Sequence, residues 1–269
     1  MTLEEALWYG RIKIGPDPSI HLLSFATGLN LTEIHLNRQR ILSSEENTML
    51  NKAIARYESG EPLQYILGHW SFFGFEFNVD PRVLIPRPET EILVETALSF
   101  IRPGMRVLDL CTGSGCIGVA LALMAEEVTV TAVDIDSSAL ALAQENCVKN
   151  QVPPGRMEFI VSDLFSQLNN RTFDVIISNP PYILTDDITG LDANVRDFEP
   201  RLALDGGADG LDLYRRIIPE SKKHLNSGGG LFLEIGPPEV SALMHGENYH
   251  NVNVVKDYVG RDRVVWGLV

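Results

Sequence analysis

From residue 105 onward the chain alternates between strand-like and helix-like runs, and this alternation limits its fold more tightly than any other feature. Residues 106–110, 128–134, 158–162, 173–178 and 231–235 are short runs in which apolar, often β-branched residues predominate, the pattern of buried strands. Residues 117–126, 138–150 and 211–225 between them read as helices, and residues 252–258 and 264–268 close the chain as two more strands. Strands alternating with helices build a parallel sheet covered on both faces. The expected fold class is therefore α/β, with a seven-stranded, mostly parallel sheet. Ligands of such sheets sit at the carboxyl ends of the strands, near the switch point in strand order. The irregular segment 184–210 follows a strand directly, and long loops in that place are often functional.

The residues ahead of this pattern have two other textures. Residues 1–70 read as short helices. Thr2 with Glu5 forms a capping box, Asp17-Pro18 gives a cap and a first-turn proline, and Gly28 stops that helix. Thr32 is the expected cap of a third helix, and Ser43 with Glu46 opens a fourth through Met49, Leu50, Ile54 and Tyr57. No catalytic signature falls here, so 1–70 reads as a small helical packing or docking domain. In residues 71–85, Phe73, Phe75, Phe77 and Val79 alternate with Gly74, Glu76 and Asn78, which predicts a strand of a β-hairpin linker. The aromatic cluster 72–77 reads as domain-joining core rather than as a substrate stack. Pro88, with Glu89 and Glu91 beside it, then starts a helix, so residues 86–269 form the large α/β domain.

Composition narrows the chemistry. Lys and Arg number 22 against 36 Asp and Glu, a formal charge of −14, which repels phosphate backbones unless a local basic patch exists. Nucleic acid is thus a disfavoured partner. Three cysteines, Cys111, Cys116 and Cys147, are too few and too odd for a disulfide framework and fit a reducing cytoplasm. No Cys-x-x-Cys or His-x-x-x-His pair predicts a metal site. The longest apolar run, 116–125, is shorter than the ~18 residues of a membrane span. Residues 1–10 carry Glu4 and Glu5 and lack the apolar core of an export signal.

Two constellations carry the function. The first is Asp109-Leu110-Cys111-Thr112-Gly113-Ser114-Gly115, a strand end running into a glycine turn ahead of a helix. Glycines there let backbone N–H groups approach a ligand. Asp134 ends the next strand, 19 residues past Gly115, where a carboxylate can accept from both ribose hydroxyls. With Gly118 this spacing also fits a dinucleotide site, so NAD and S-adenosylmethionine (SAM) both remain open at this point. Residue 112 is threonine, so Ser114 lies in no nucleophile elbow.

The second constellation separates them. Residues 173–178 form a buried strand, and Asn179-Pro180-Pro181-Tyr182 follows at once. Proline cannot extend a central strand, so the chain leaves the sheet here and Asn179 reaches the same edge as the glycine turn. The two N–H bonds of a planar amide or aromatic amine match two acceptors, the Asn179 side-chain oxygen and the Pro180 carbonyl. Those acceptors orient a weakly nucleophilic nitrogen and favour its transition state. Tyr182 offers an aromatic face. This points to methyl transfer from SAM to such a nitrogen.

The sequence resembles the PrmC/HemK family, the glutamine-N5 methyltransferases of peptide chain release factors, over nearly its whole length. The likeness rests on Pro62-Leu63-Gln64-Tyr65-Ile66-Leu67-Gly68, Phe73-Gly74, Phe77-Asn78-Val79 and Ile85-Pro86-Arg87-Pro88-Glu89-Thr90-Glu91. The glycine loop, Asn179-Pro180-Pro181-Tyr182-Ile183 and Phe198-Glu199-Pro200 complete it. The resemblance implies a helical N-terminal domain, a hairpin linker and a Rossmann-like SAM domain. It implies SAM contacts at Cys111, Thr112, Gly113, Ser114, Gly115, Asp134, Leu164 and Asn179. Asn179, Pro180, Pro181 and Tyr182 would hold the glutamine of the Gly-Gly-Gln loop of release factors, with Asn179, Pro180 and Tyr182 acting in catalysis. Two positions depart from the family: its first loop glycine is Cys111 here, and the aromatic some relatives carry at the Leu164 position is absent. The roles of Arg87 and Glu89 stay open between ordering the hairpin over the substrate and capping a helix. The rival reading is an adenine-N6 or cytosine-N4 nucleic-acid methyltransferase, which would use the same Asn-Pro-Pro-Tyr chemistry on a flipped base.

Overall fold

The structure, a computed structural model, describes residues 1–269. In chain order it runs α1 (Leu3–Ile14), α2 (Pro16–Thr27), α3 (Leu31–Leu36), α4 (Ser44–Glu58), α5 (Leu63–Leu67), β1 (His69–Phe72), β2 (Phe75–Asn78), α6 (Pro88–Phe100), β3 (Arg106–Leu110) and α7 (Cys116–Met124). It continues with β4 (Thr129–Asp134), α8 (Ser137–Lys149), β5 (Met157–Val161), β6 (Phe173–Ser178), α9 (Ala193–Arg196), α10 (Asp212–His224), β7 (Leu225–Glu234), α11 (Val240–Gly246), β8 (His250–Lys256) and β9 (Asp262–Leu268). Two compact units result: Met1–His69 with Asp192–Phe198, and Trp70–Leu191 with Glu199–Val269.

Capping boxes organise the helical unit. At α1, α3 and α4 the pairs Thr2/Glu5, Asn30/Glu33 and Ser43/Glu46 satisfy each other's backbone N–H groups. Two sequence expectations shift. Helix α2 begins at Pro16 after Gly15, so Asp17 lies inside the first turn instead of capping it. Helix α3 is capped by Asn30 and not by Thr32, because only Asn30 has a glutamate three residues on to return the bond. Leu3, Leu22, Leu23, Ile34, Leu50, Ile54 and Ile66 form the core of this unit, while Met49 points away from it and is exposed.

The larger unit begins with the β1–β2 hairpin. Phe73 and Gly74 join its strands with φ of 52° and 79°, the sign pattern of a type I′ connection. Phe73 is thus a turn residue, and the alternation that reads as one strand through it belongs to β2 alone. A bulky residue there costs ~1–2 kcal/mol. The Phe73 N–H donates to Glu91 Oε1 at 2.7 Å, which helps hold the turn. Phe72 and Phe77 are buried in the core together with Leu93, Val94 and Ile117.

The main sheet has the order β5-β4-β3-β6-β7-β9-β8, seven strands. Pairing is parallel from β5 to β7 and antiparallel for β7–β9 and β9–β8. The α/β class with a seven-stranded, mostly parallel sheet is therefore correct. Chain order reverses at β3, which has β4 on one side and β6 on the other, and this places the switch point at their carboxyl ends. Strand β7 starts at Leu225, earlier than the glycine-rich 227–230 suggests. An irregular register between Phe173 and Val175 lets Leu225 pair with Phe173 before the glycines. Helix α11 is an element the sequence pattern did not predict; at seven residues it is too short to display a period. No helix is long and apolar enough to cross a membrane.

Candidate active site

At the switch point the strand ends enclose a cavity of about 250 Å³. Its wall includes Cys111, Thr112, Gly113, Ser114, Asp134, Leu164, Asn179 and Pro181, and also Arg87 and Thr90. The glycine loop, the end of β4, the turn after β5 and the end of β6 thus meet in one place. Of the other expected residues, Gly115 caps α7 just behind the loop. Pro180 is buried, and neither it nor Tyr182 lines the cavity.

The loop is shaped from beneath by Asp109, which is fully buried. Its Oδ2 accepts from Thr112 Oγ1 at 2.6 Å and from the Gly118 N–H at 3.0 Å. Burial pushes this carboxyl up to about 7, against the pull of those two bonds. Cys111 takes φ of 57°, so the position where the family has glycine does require a left-handed backbone. The side chain is accommodated at the ~1–2 kcal/mol cost of that region. Desolvation, then the charge of Asp134, push its thiol above the ordinary range, so it stays protonated.

Asp134 ends β4 half-buried. One oxygen accepts from the Gly113 N–H at 2.9 Å and the other from the Asp136 N–H at 3.0 Å. Burial raises its pKa, and those two backbone bonds oppose the rise. A carboxylate has about four lone-pair positions, so acceptor capacity is left for a diol. Leu164 closes the far wall with φ of 47°; its carbonyl accepts from Ser162 Oγ at 2.8 Å.

Across the cavity, Ser178 Oγ donates to the Leu110 carbonyl at 2.7 Å and ties the end of β6 to the end of β3. Asn179 follows, half-buried, and its Nδ2 donates to Thr90 Oγ1 at 3.2 Å. The side-chain oxygen is the end left for a ligand. Tyr182 turns inward. Its hydroxyl donates to Glu234 Oε1 at 3.3 Å, and its ring lies so close to Gly236 that a Cβ there would sit 2.5 Å from it. Burial and the Glu234 charge push the phenol upward, so it remains a neutral donor.

Residues 88–191 match a family model described as the methyltransferase small domain, and residues 20–68 match the PrmC N-terminal domain. A release factor glutamine methyltransferase from Geobacter sulfurreducens is 42% identical over 251 residues, 92% of this chain and 87% of that protein. The chain belongs to the release factor glutamine methyltransferase family. The homologue from Koribacter versatilis is 41% identical over 252 residues, 91% of this chain and 88% of that protein. A crystal structure of a methyltransferase from Pyrococcus furiosus shares the fold with a TM-score of 0.54 at 22% identity, covering 82% of this chain and 95% of that one.

Within this family member, three site features escape sequence reasoning. Arg87, whose role the motif leaves open, pairs with the buried Glu199 at 2.5 Å. The segment 85–91 and residues 199–200 therefore meet at the cavity wall. Thr90 holds Asn179 from the first turn of α6. Glu234 lies behind Tyr182. The signal for Glu234 was available: it is an acidic residue ending an apolar strand, the same placement that singles out Asp134.

Proposed function

We propose that this chain methylates N5 of the glutamine in the Gly-Gly-Gln loop of peptide chain release factors, with SAM as methyl donor. Family membership gives the reaction class and the kind of acceptor. The observation that carries the assignment of residues is that Asn179, its Nδ2 taken by Thr90, lines the same cavity as the glycine loop and Asp134.

The residues present fit SAM. Asp134 keeps acceptor capacity for the ribose hydroxyls, Leu164 offers an aliphatic wall for adenine, and residues 111–115 form the turn beneath. When bound, SAM supplies an activated methyl group. The chain's own work is orientation. Asn179 Oδ1 accepts from one N–H bond of the glutamine amide, favouring the pyramidal nitrogen of the transition state; the Pro180 carbonyl is the acceptor proposed for the other, although the buried Pro180 does not itself line the cavity. Pro181 contributes to the wall beside them. Tyr182 acts by anchoring the turn through Glu234, since its ring packs on Gly236 and not against the cavity.

In this reading residues 1–70 dock the body of the factor, 71–85 link, and 86–269 carry the chemistry in a cytoplasmic enzyme. The formal charge of −14 favours a protein acceptor over nucleic acid. Incubation with SAM and a release factor, followed by peptide mass mapping, tests the proposal. A single added methyl on the loop glutamine is expected. Methylation of DNA or RNA at comparable efficiency, with the factor ignored, would replace it with the nucleic-acid reading.

A further inference from the structure

Arg87 stands where a helix gains nothing from it. It is the residue before α6, with φ of −99° and ψ of 142°, and its side chain makes no capping bond. A guanidinium has five donors and no acceptor, so it cannot serve the unpaired N–H groups of a first turn. Its charge also sits at the positive end of the helix dipole. What engages it instead is Glu199. Arg87 Nη2 donates to Glu199 Oε1 at 2.5 Å, and the other carboxylate oxygen accepts from the Ile85 N–H at 3.4 Å. The Glu199 side chain is 1% exposed, against 33% for Arg87. Burial pushes this carboxyl upward, and the Arg87 charge leads the groups that draw it back. One buried carboxylate thus holds the strap between β2 and α6 at two points, one main chain and one side chain.

That strap is cavity wall. It lines the space at residues 82–84, 86 and 87, and the segment after Glu199 lines it at Pro200, Leu202 and Ala203. Each stretch is anchored beyond the pair. Val83 is buried with Ala139 and Leu142 of α8, and Thr90, in the first turn of α6, holds Asn179. The Ile183 N–H donates to the Leu204 carbonyl at 3.0 Å, and the Gly206 N–H to the Ile183 carbonyl at 2.8 Å. Those bonds fix the second stretch to the chain leaving Asn179. Between these anchors the Arg87–Glu199 pair spans the seam.

We propose that Arg87 and Glu199 are positioning residues that clasp the seam between these two stretches of cavity wall, and so set how long the methyl donor and its demethylated product stay bound. This rests on the reading that the cavity holds SAM. An ion pair across a seam resists opening without touching the ligand, so its loss acts on departure more than on arrival.

The test uses the full chain and a pulse-chase of labelled SAM. Arg87→Met and Glu199→Met should each speed SAM dissociation about 10-fold, a coupling ordinary for partners in one network, with the association rate little changed. Arg87→Lys, which still offers one cationic nitrogen to Oε1, should recover much of the residence time. The double variant Arg87→Met/Glu199→Met separates the clasp from plain stability. Removing Arg87 alone leaves a buried carboxylate unpaired, whereas replacing both partners with apolar residues removes that penalty. The urea midpoint of the double variant should therefore exceed that of Arg87→Met, while its SAM dissociation stays as fast. Hydrogen exchange on the ligand-free chain reads the seam directly. The Arg82 N–H, which donates to Asp80 Oδ1 at 3.0 Å, should exchange faster in the double variant. A dissociation rate that recovers together with the urea midpoint overturns the proposal. So does a rate raised by Arg87→Met and not by Glu199→Met, which would make Arg87 a direct ligand contact. If Asp134→Ala leaves SAM affinity unchanged, the reading of the cavity fails instead, and the exchange measurement still decides the clasp: unchanged Arg82 exchange overturns it.

Discussion

The glycine-loop side of the cavity and its Asn179 side are held by different kinds of bond. On the first, main chain meets carboxylate: Asp109 and Asp134 between them take three backbone N–H groups, and Cys111 and Leu164 sit in left-handed conformations. On the second, side chain meets side chain: Asn179 to Thr90, and Tyr182 to Glu234, over positions 89 and 52 residues apart. A main-chain cradle presents its groups whatever the neighbouring side chains are. A side-chain relay presents the right atom only while every member keeps its donor or acceptor role. Binding strength is therefore expected to reside mostly in the first side and rate in the second.

The largest expected effect breaks the second side. Asn179→Ala should lower kcat by ~10²–10³-fold, the scale for losing one oriented polar group at a reacting centre, with a smaller change in SAM affinity. Single-turnover kinetics beside calorimetry check the split; a loss shared equally between rate and SAM binding would erase the contrast. Asp134→Ala attacks the first side and should weaken SAM by ~1.5–3 kcal/mol, measured by calorimetry on the folded variant. Unchanged affinity would move the ribose contact elsewhere.

A pH experiment sharpens the comparison from beneath the loop. The Asp109 carboxyl is pushed up to about 7 in the folded chain, against an ordinary 3.8. A raised pKa means the folded state holds the proton more tightly, so this contribution is full below the unfolded value and is lost as pH rises through about 7. Asp109→Asn cannot titrate. Relative to the variant, the wild-type protein should lose about 2 kcal/mol of stability between pH 5 and 7. Urea unfolding at both pH values measures it, and a constant difference would show that Asp109 is ionised throughout. The smallest effect is expected from Cys111→Gly, which removes a side chain from a left-handed position. Relief of ~1–2 kcal/mol of strain is offset by the greater freedom of glycine in the unfolded chain, so the melting temperature should hold or rise slightly and SAM binding should persist.

The same contrast explains what the sequence revealed. The loop and Asp134 are close in sequence and lie on consecutive strands, so their spacing alone brings them together. Asn179-Pro180-Pro181-Tyr182 was legible because prolines end a central strand. Thr90 and Glu234 were not paired with it, because hydrogen bonds between distant segments leave no period or spacing to read. Period-two alternation also carried the expected strand straight through Phe73, since hydropathy does not register the sign of φ. Asn30 took the cap expected at Thr32 because capping depends on the reciprocal partner, Glu33.

The position of Glu234 on β7 has a consequence for the order in which the molecule becomes competent. Domains fold largely as units while the ribosome extends them from the amino end. Strands β3, β4 and β5, with Asp109, Asp134 and Leu164, leave the ribosome first. Strand β6 leads into Asn179 and Tyr182, yet the carboxylate that accepts from the Tyr182 hydroxyl arrives only when β7 has been made and laid beside it. A nascent chain paused between those points has the glycine loop and Asn179, but nothing to anchor the Tyr182 end of the turn that follows β6.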